Sequence, residues 1–541
     1  REEKMTKKLL FNGNIITMDA ERQSAGNLLI EGEEICKVDL SAAEIEQLKD
    51  VEAVDLAGTT CIPGFHDSHM HLIEYGYNKK YCVDLSGAGS IEEVIKMMQS
   101  FIEERALPEG SWVMGMRWNQ ENFKEKRLLT RKDLDRISDK HYIFTKRVCI
   151  HIAAVNSKLL ELCGVNRDTF REDENIGRYA DGRPNGLIYE DAISGIILQK
   201  KPPLTVEEIE GIIADTTREI KGKGFSAVQS DDMKAFSDFQ SKENIVRAYD
   251  NLRNRGELPI RVFEQVQVSS LEEFLQIQEF LKEVKEDELF SHNRLKLILD
   301  GSLGASTAAM ETPYKGTTDH YGILNFRDEE LNQLVEFAYM NNMQVMCHCI
   351  GERAINQAIR MIGRYQKRYG QDRRPRLVHC QICTKEQVEQ MAQLQMMADI
   401  QPAFVPADYR AVYEKIEAAE QFALYPWKTM LDSGIRISGS SDAPVESYDA
   451  LYGIQTATTR AAIDGSPQGG WLPTEKLSVE EALRLYTETP AYSVFMEEKI
   501  GKIKEGFKAD LTILDQNPLE TAPELIYLIS AVKTFCNGRG E

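Results

Sequence analysis

The feature that most constrains this chain is a change of hydrophobic rhythm that recurs along its middle. Short apolar runs that read as strands are followed by longer stretches of helical periodicity. The strand-like runs are CIPGFHDSH, WVMGMRW or HYIFTKRVC, FSAVQSDD, RLKLILDGS, MQVMCHC, RLVHCQI, MADIQPAF and RISGSSDAP. Helical stretches between them include LTVEEIEGIIADTTREIKGKG, DEELNQLVEFAYMNN, ERAINQAIRMIGRYQKRYG and KEQVEQMAQLQ. Alternation of this kind implies an α/β fold with a parallel sheet covered by helices. About eight such units over roughly 400 residues predict a (β/α)8, TIM-like barrel. An open doubly wound sheet is the competitor, but no strand leads into G-x-G-x-x-G or a P-loop.

Both ends of the chain read differently. LLFNGNIITMD, NLLIEGEEICKVD and EAVDLAGTTCIPG are short strand patterns broken by Gly, Asn and Asp, and GKIKEGFKADLTILD and LIYLISAVKTFCNG look alike. The stretch from about 72 to 225 holds more sequence than two βα units need, and it is rich in charge and turn residues. It reads as an insertion that covers or lines a site at the barrel mouth.

Composition excludes some functions. The formal net charge of −21 argues against nucleic acid and against an anionic membrane surface, which both need a basic footprint. No stretch is apolar and long enough to span a bilayer. The ten cysteines are scattered, mostly in apolar runs, and no secretory leader is evident. Buried free thiols in a reducing cytoplasm are the expectation. C-H-C at 347 to 349 and H-C-x-x-C at 379 to 383 have no second C-x-x-C to complete a four-thiolate zinc ribbon.

The chain has only nine histidines, yet His66, His69 and His71 fall within one short stretch, PGFHDSHMHL. Side chains alternate along a strand, so His69 and His71 point the same way, while His66 differs in parity and reads as structural. Three more strands end in polar groups: His348, His379 and Asp442. In a parallel barrel the C-terminal strand ends carry the active site. Imidazoles and a carboxylate converging there suit zinc and related transition metals.

PGFHDSHMHL, HCIGERAIN, RLVHCQ, GSSDAPVE and GKIKEGFKADLTILD together resemble the amidohydrolase superfamily of metal-dependent hydrolases. LKLILDGSLGAS, IHIAAVNSKLL and NGLIYEDA resemble its family 3, the YtcJ-like branch, and the resemblance covers nearly the whole chain. It implies a small β-sandwich built from both chain ends: residues 5–62 and 486–541 around a barrel at 63–485. It also implies that His69 and His71 hold a first metal ion, and His348 and His379 a second where there are two. Asp442 would contact the first ion and shuttle a proton. Lys296 occupies the fourth-strand position that many relatives fill with a carbamylated lysine bridging two metals. Pairing with Asp300 or another carboxylate is its structural alternative. If the carbamate is absent, one metal is expected.

The activity so implied is hydrolysis of an amide or cyclic amide C–N bond of a small molecule. A bound divalent ion, Zn2+ first and Mn2+ or Fe2+ next, lowers the pKa of water from about 15.7 toward ~7. Asp442 then accepts the proton and delivers it to the leaving nitrogen. His151 matches a family histidine, although Cys149 and Ile150 stand where Asp-Gly is usual. Asp300, Glu190 and Trp118 are further candidates for substrate contact. A homo-oligomer, most simply a dimer, is common in the superfamily. Two alternatives stand beside this reading: a deaminase-type C–N hydrolase with one metal, and a non-catalytic scaffold on the same fold.

Overall fold

The computed structural model describes residues 7–149, 151–233, 239–370 and 372–540. Met5 at the expected domain start, Ile150 of the IHIAAVNSKLL stretch and Glu541 lie outside the described residues. The chain divides into two compact units, Arg1–Glu74 with Val206–Glu541, and Tyr75–Thr205.

The larger unit contains eight parallel strands in chain order. They are β1 (Phe65–Met70), β2 (Phe225–Ser230), β3 (Arg261–Glu264) and β4 (Arg294–Ile298). Then follow β5 (Gln344–Cys349), β6 (Arg376–His379), β7 (Met397–Ile400) and β8 (Ile437–Gly439). Sequence neighbours pair in parallel from β1 to β3 and from β4 to β8. Val266–Gln267, just past β3, pairs in parallel with β4. Beyond β8 the backbone meets the end of β1: the Asp442 N–H donates to the His69 carbonyl at 2.9 Å and the His71 N–H to the Ala443 carbonyl at 2.8 Å.

Parallel neighbours need crossovers, and helices supply them. Glu352–Tyr369, between β5 and β6, buries Ile355, Ala358, Ile359 and Ile362, a single helical face. Val206–Lys221, before β2, buries Ile209, Ile212, Ile213 and Ile220 at the same spacing. The strands are almost wholly buried, which is why they read as continuous apolar runs rather than as alternating ones.

One strand assignment is corrected. Trp112–Trp118 and Tyr142–Arg147 pair with each other in the smaller unit, and neither pairs with β1 or β2. Instead β2 lies directly beside β1, and the unrecognised third strand is RVFE. Its two charged ends disguise it, because each is buried: Arg261 pairs with Asp510 at 2.7 Å, and the Glu264 carboxylate receives the Asp232 N–H at 3.2 Å.

The chain ends share one sheet of eight strands. Leu511–Leu514 pairs antiparallel with Thr60–Pro63 and with Ala531–Cys536, while Lys7–Asp19 pairs with Arg22–Glu31. Leu10, Ile15, Leu28, Ile30, Leu511 and Phe535 pack as its core.

The smaller unit has its own six-stranded sheet and its own core, which includes Val94, Met98, Val113, Trp118 and Ile143. Among the described residues no helix is long and apolar enough to cross a membrane.

Candidate metal centre

The parallel register decides what meets at the strand ends. Ile298 of β4 stands beside His348 of β5, and Cys349 stands beside His379 of β6. This brings the His348 and His379 rings to 4.5 Å between centroids. His379 lies 6.2 Å from His69, which lies 5.2 Å from His71. Four imidazoles from three strands therefore form one continuous cluster. Asp442, just past β8, completes it, with its Oδ1 3.0 Å from His71 Nε2 and 3.4 Å from His69 Nε2. Nε2-type and carboxylate donors of His69, His71 and Asp442 all lie within 4.8 Å of one another.

Each ring is held from behind through Nδ1. His71 Nδ1 lies 2.7 Å from the Asp231 carbonyl, which can only accept. His379 Nδ1 lies 2.7 Å from Gln401 Oε1, and the Gln401 amide donates in turn to Ser440 Oγ at 2.8 Å, which fixes its orientation. His69 Nδ1 meets Gln265 Oε1 at 3.1 Å, and His348 Nδ1 meets Asp300 Oδ1 at 3.0 Å. Protons on the Nδ1 atoms leave the Nε2 lone pairs facing the cluster, the usual way a protein orients imidazole toward a metal.

Electrostatics agree. Burial first, then the charge of Lys296, holds the His69 imidazole well below its ordinary range, and burial does the same to His379. Burial would raise the Asp442 carboxyl, yet His69 and His71 beside it hold it well below the carboxylate range. Two imidazole nitrogens thus converge on one carboxylate oxygen at 3.0 and 3.4 Å, a spacing at which all three can serve one cation. The donor set fits a divalent ion. His379 and Asp442 also adopt left-handed backbone, with φ of 83° and 55°. Such conformations are uncommon for non-glycine residues and gather at functional sites.

Lys296 is fully buried in β4, with Nζ 3.1 Å from His69 Nε2 and 3.9 Å from Asp231 Oδ2. Asp300 spends both oxygens locally: Oδ1 on His348 and the Ile350 N–H, Oδ2 on the Ala309 and Gly351 N–H groups. His66 stacks on Phe263 at 5.4 Å and meets Gln229 at 3.2 Å. In the smaller unit, His151 and Glu190 form an exposed pair at 2.8 Å. Trp118 is enclosed there and stacks on Phe123 at 6.2 Å. The ten cysteines are all unbridged thiols, and Cys347, Cys349, Cys380 and Cys383 are buried.

Gln265, Gln401 and the Asp231 carbonyl were not singled out in the sequence. The two glutamines do follow a rule that the histidines obey, a polar residue just past a parallel strand, but an amide carries no chemistry of its own to draw attention.

Residues 52–540 match the model of a family described as the amidohydrolase family. The chain belongs to the amidohydrolase family. The amidohydrolase YtcJ of Bacillus subtilis (strain 168) is 31% identical over 491 residues, spanning 91% of this chain and 90% of that protein. The N-substituted formamide deformylase of Arthrobacter pascens is 25% identical over 98% of this chain and 97% of its own length. Among solved structures, an uncharacterized metal-dependent hydrolase from Pyrococcus horikoshii OT3 is 27% identical. It superposes with a TM-score of 0.79, covering 96% of this chain and 99% of that one.

Proposed function

We propose that this amidohydrolase cleaves a C–N bond, amide or cyclic amide, of a small molecule in a metal-dependent reaction. The observation that carries the reading is the contact of Asp442 with both His69 and His71, whose Nδ1 atoms are engaged elsewhere. His69, His71 and Asp442 would hold the first ion, and His348 and His379 a second. Zn2+ matches these ligands best, with Mn2+ or Fe2+ next. A divalent ion held there would supply hydroxide near neutral pH by acidifying water. Asp442 would accept the released proton and pass it to the leaving nitrogen. Gln265, Gln401 and Asp300 keep the imidazoles aimed. Lys296, carbamylated by carbon dioxide, would bridge two ions; its burial with Nζ 3.1 Å from His69 Nε2 supports a place among the ligands.

The eight parallel strands are read as one closed (β/α)8 barrel, at residues 63–485, with a small β-sandwich from 5–62 and 486–541. The His151–Glu190 pair is the exposed candidate for substrate contact in the smaller unit, and Trp118 is assigned to packing. A dimer in the cytoplasm is the proposed state and place.

A second reading has its own support: only His69, His71 and Asp442 form the tight donor group among the described residues. A single ion there suits a deaminase-type C–N hydrolase. The scaffold alternative is weakened by the presence of every ligand residue. Elemental analysis of protein purified without chelator separates the three: two ions per chain, one, or none. A screen of zinc- or manganese-loaded protein then starts with N-substituted formamides, the class named in the Arthrobacter relative, and continues with N-acyl amino acids and hydantoin-like rings. Turnover that survives His71→Asn and Asp442→Asn unchanged defeats the proposal.

A further inference from the structure

We propose that Asp408, at the metal-centre end of β7, recognises a positively charged amine on the substrate. This names a substrate class for the hydrolase reading above and rests on that reading. Beyond β7 the chain turns through Pro402–Phe404 into the helix Val405–Lys415. Phe404 already has helical backbone, with φ of −73° and ψ of −27°. Residues four apart on a helix are neighbours, so Phe404 and Asp408 share a face. The Phe404 ring stacks on His379 at 6.1 Å between centroids. The face that carries Asp408 is thus the one packed toward His379.

A second path in the fold leads to the same place. Gln381, two residues past His379, donates from its side-chain amide to Asp408 Oδ2 at 3.4 Å. The Tyr425 N–H donates to the Gln381 carbonyl at 2.8 Å, and the Tyr425 hydroxyl donates to the same Asp408 Oδ2 at 2.6 Å. Oδ2 is therefore held by two donors, while Oδ1 has no hydrogen-bond partner among the described residues. Asp408 is half-buried, and Oδ1 is its solvent-facing oxygen, unlike the enclosed Oε1 of Gln381.

The carboxylate also lacks a counter-charge. Both of its side-chain partners are neutral, and no lysine, arginine or histidine pairs with it among the described residues. Burial raises this carboxyl above its ordinary value, against the Tyr425 hydroxyl. A half-buried anion with one oxygen free attracts a cation that brings its own N–H donors. A primary ammonium is compact and has three. Phe404 gives the apolar spacer between that ammonium and the scissile amide a ring to lie on. The substrate class is a small amide with a cationic amine about one helical turn, ~5–6 Å, beyond the ring that faces His379.

The test is calorimetric titration of the full-length, metal-loaded protein with ε-aminocaproyl hydroxamate and, separately, heptanoyl hydroxamate. The two probes share a metal-binding end and a length, and differ only in a terminal ammonium or methyl group. The aminated probe is expected to bind about tenfold or more tightly. Asp408→Asn erases that preference. Should this variant not fold, Asp408→Glu replaces it: the longer arm shifts the preference to the shorter δ-aminovaleryl hydroxamate, and an unshifted preference overturns the proposal. Equal affinity of the wild type for both probes overturns it and leaves the metal reading standing, as does a preference that survives Asp408→Asn. Failure of both probes to bind overturns the metal reading and this proposal together.

Discussion

The two ends of the same eight strands solve the problem of buried polarity in opposite ways. At the N-terminal ends, Arg261 and Arg376 meet Asp510 and Asp399, so each charge is answered by the fold itself. At the C-terminal ends, His69, His71, His348, His379 and Asp442 gather at one place, with the ring nitrogens behind them held by Gln265, the Asp231 carbonyl, Asp300 and Gln401. A buried polar group must find a partner. Where the chain provides it, the result is structure; where it is withheld, the result is a site for something that arrives from outside.

This contrast is exposed most severely by Asp442→Asn. Loss of a positioned proton acceptor is expected to lower kcat about 10²- to 10⁴-fold with the far-ultraviolet spectrum unchanged. An unaltered kcat would remove the functional half of the comparison. Asp510→Ala probes the structural half. It strands Arg261 as an uncompensated buried charge, and denaturant unfolding should report a loss of about 3–5 kcal/mol while metal stoichiometry stays the same. Metal loss without destabilisation in that variant would show the two ends to be confused.

A finer cut is made by Gln265→Leu and Gln401→Leu, which leave every ligand in place but release a ring from behind. Competitive chelator titration should find metal affinity reduced about 10- to 100-fold. Equal affinity to wild type would mean that packing alone aims the imidazoles. Cys383→Ala is the mildest. Its thiol is buried beside His379's neighbour Cys380, and it should cost about 1 kcal/mol, as an average core change does, with no metal lost. A drop in bound zinc would revive a thiolate site.

Much of the centre was legible because its signals are local. His69 and His71 share a strand face, and each remaining ligand closes an apolar run, so period and position sufficed. β3 was hidden because RVFE has ionisable residues at both ends, and only distant partners make them acceptable in the core: Asp510 pairs with Arg261, while burial and the nearby Asp232 push Glu264 toward the neutral acid, which accepts the Asp232 N–H. Trp112–Trp118 misled for the converse reason. As an apolar run it resembles the other strands, and nothing in its seven residues says which sheet it joins.

The polymer's order of residues alone determined the α/β rhythm, the candidate ligands and the family, since these depend on spacing along the chain. Only the tertiary structure decided which strands are neighbours and which rings are braced by glutamine. Those are facts of pairing across long sequence separations, where register and burial, not local propensity, choose the partner.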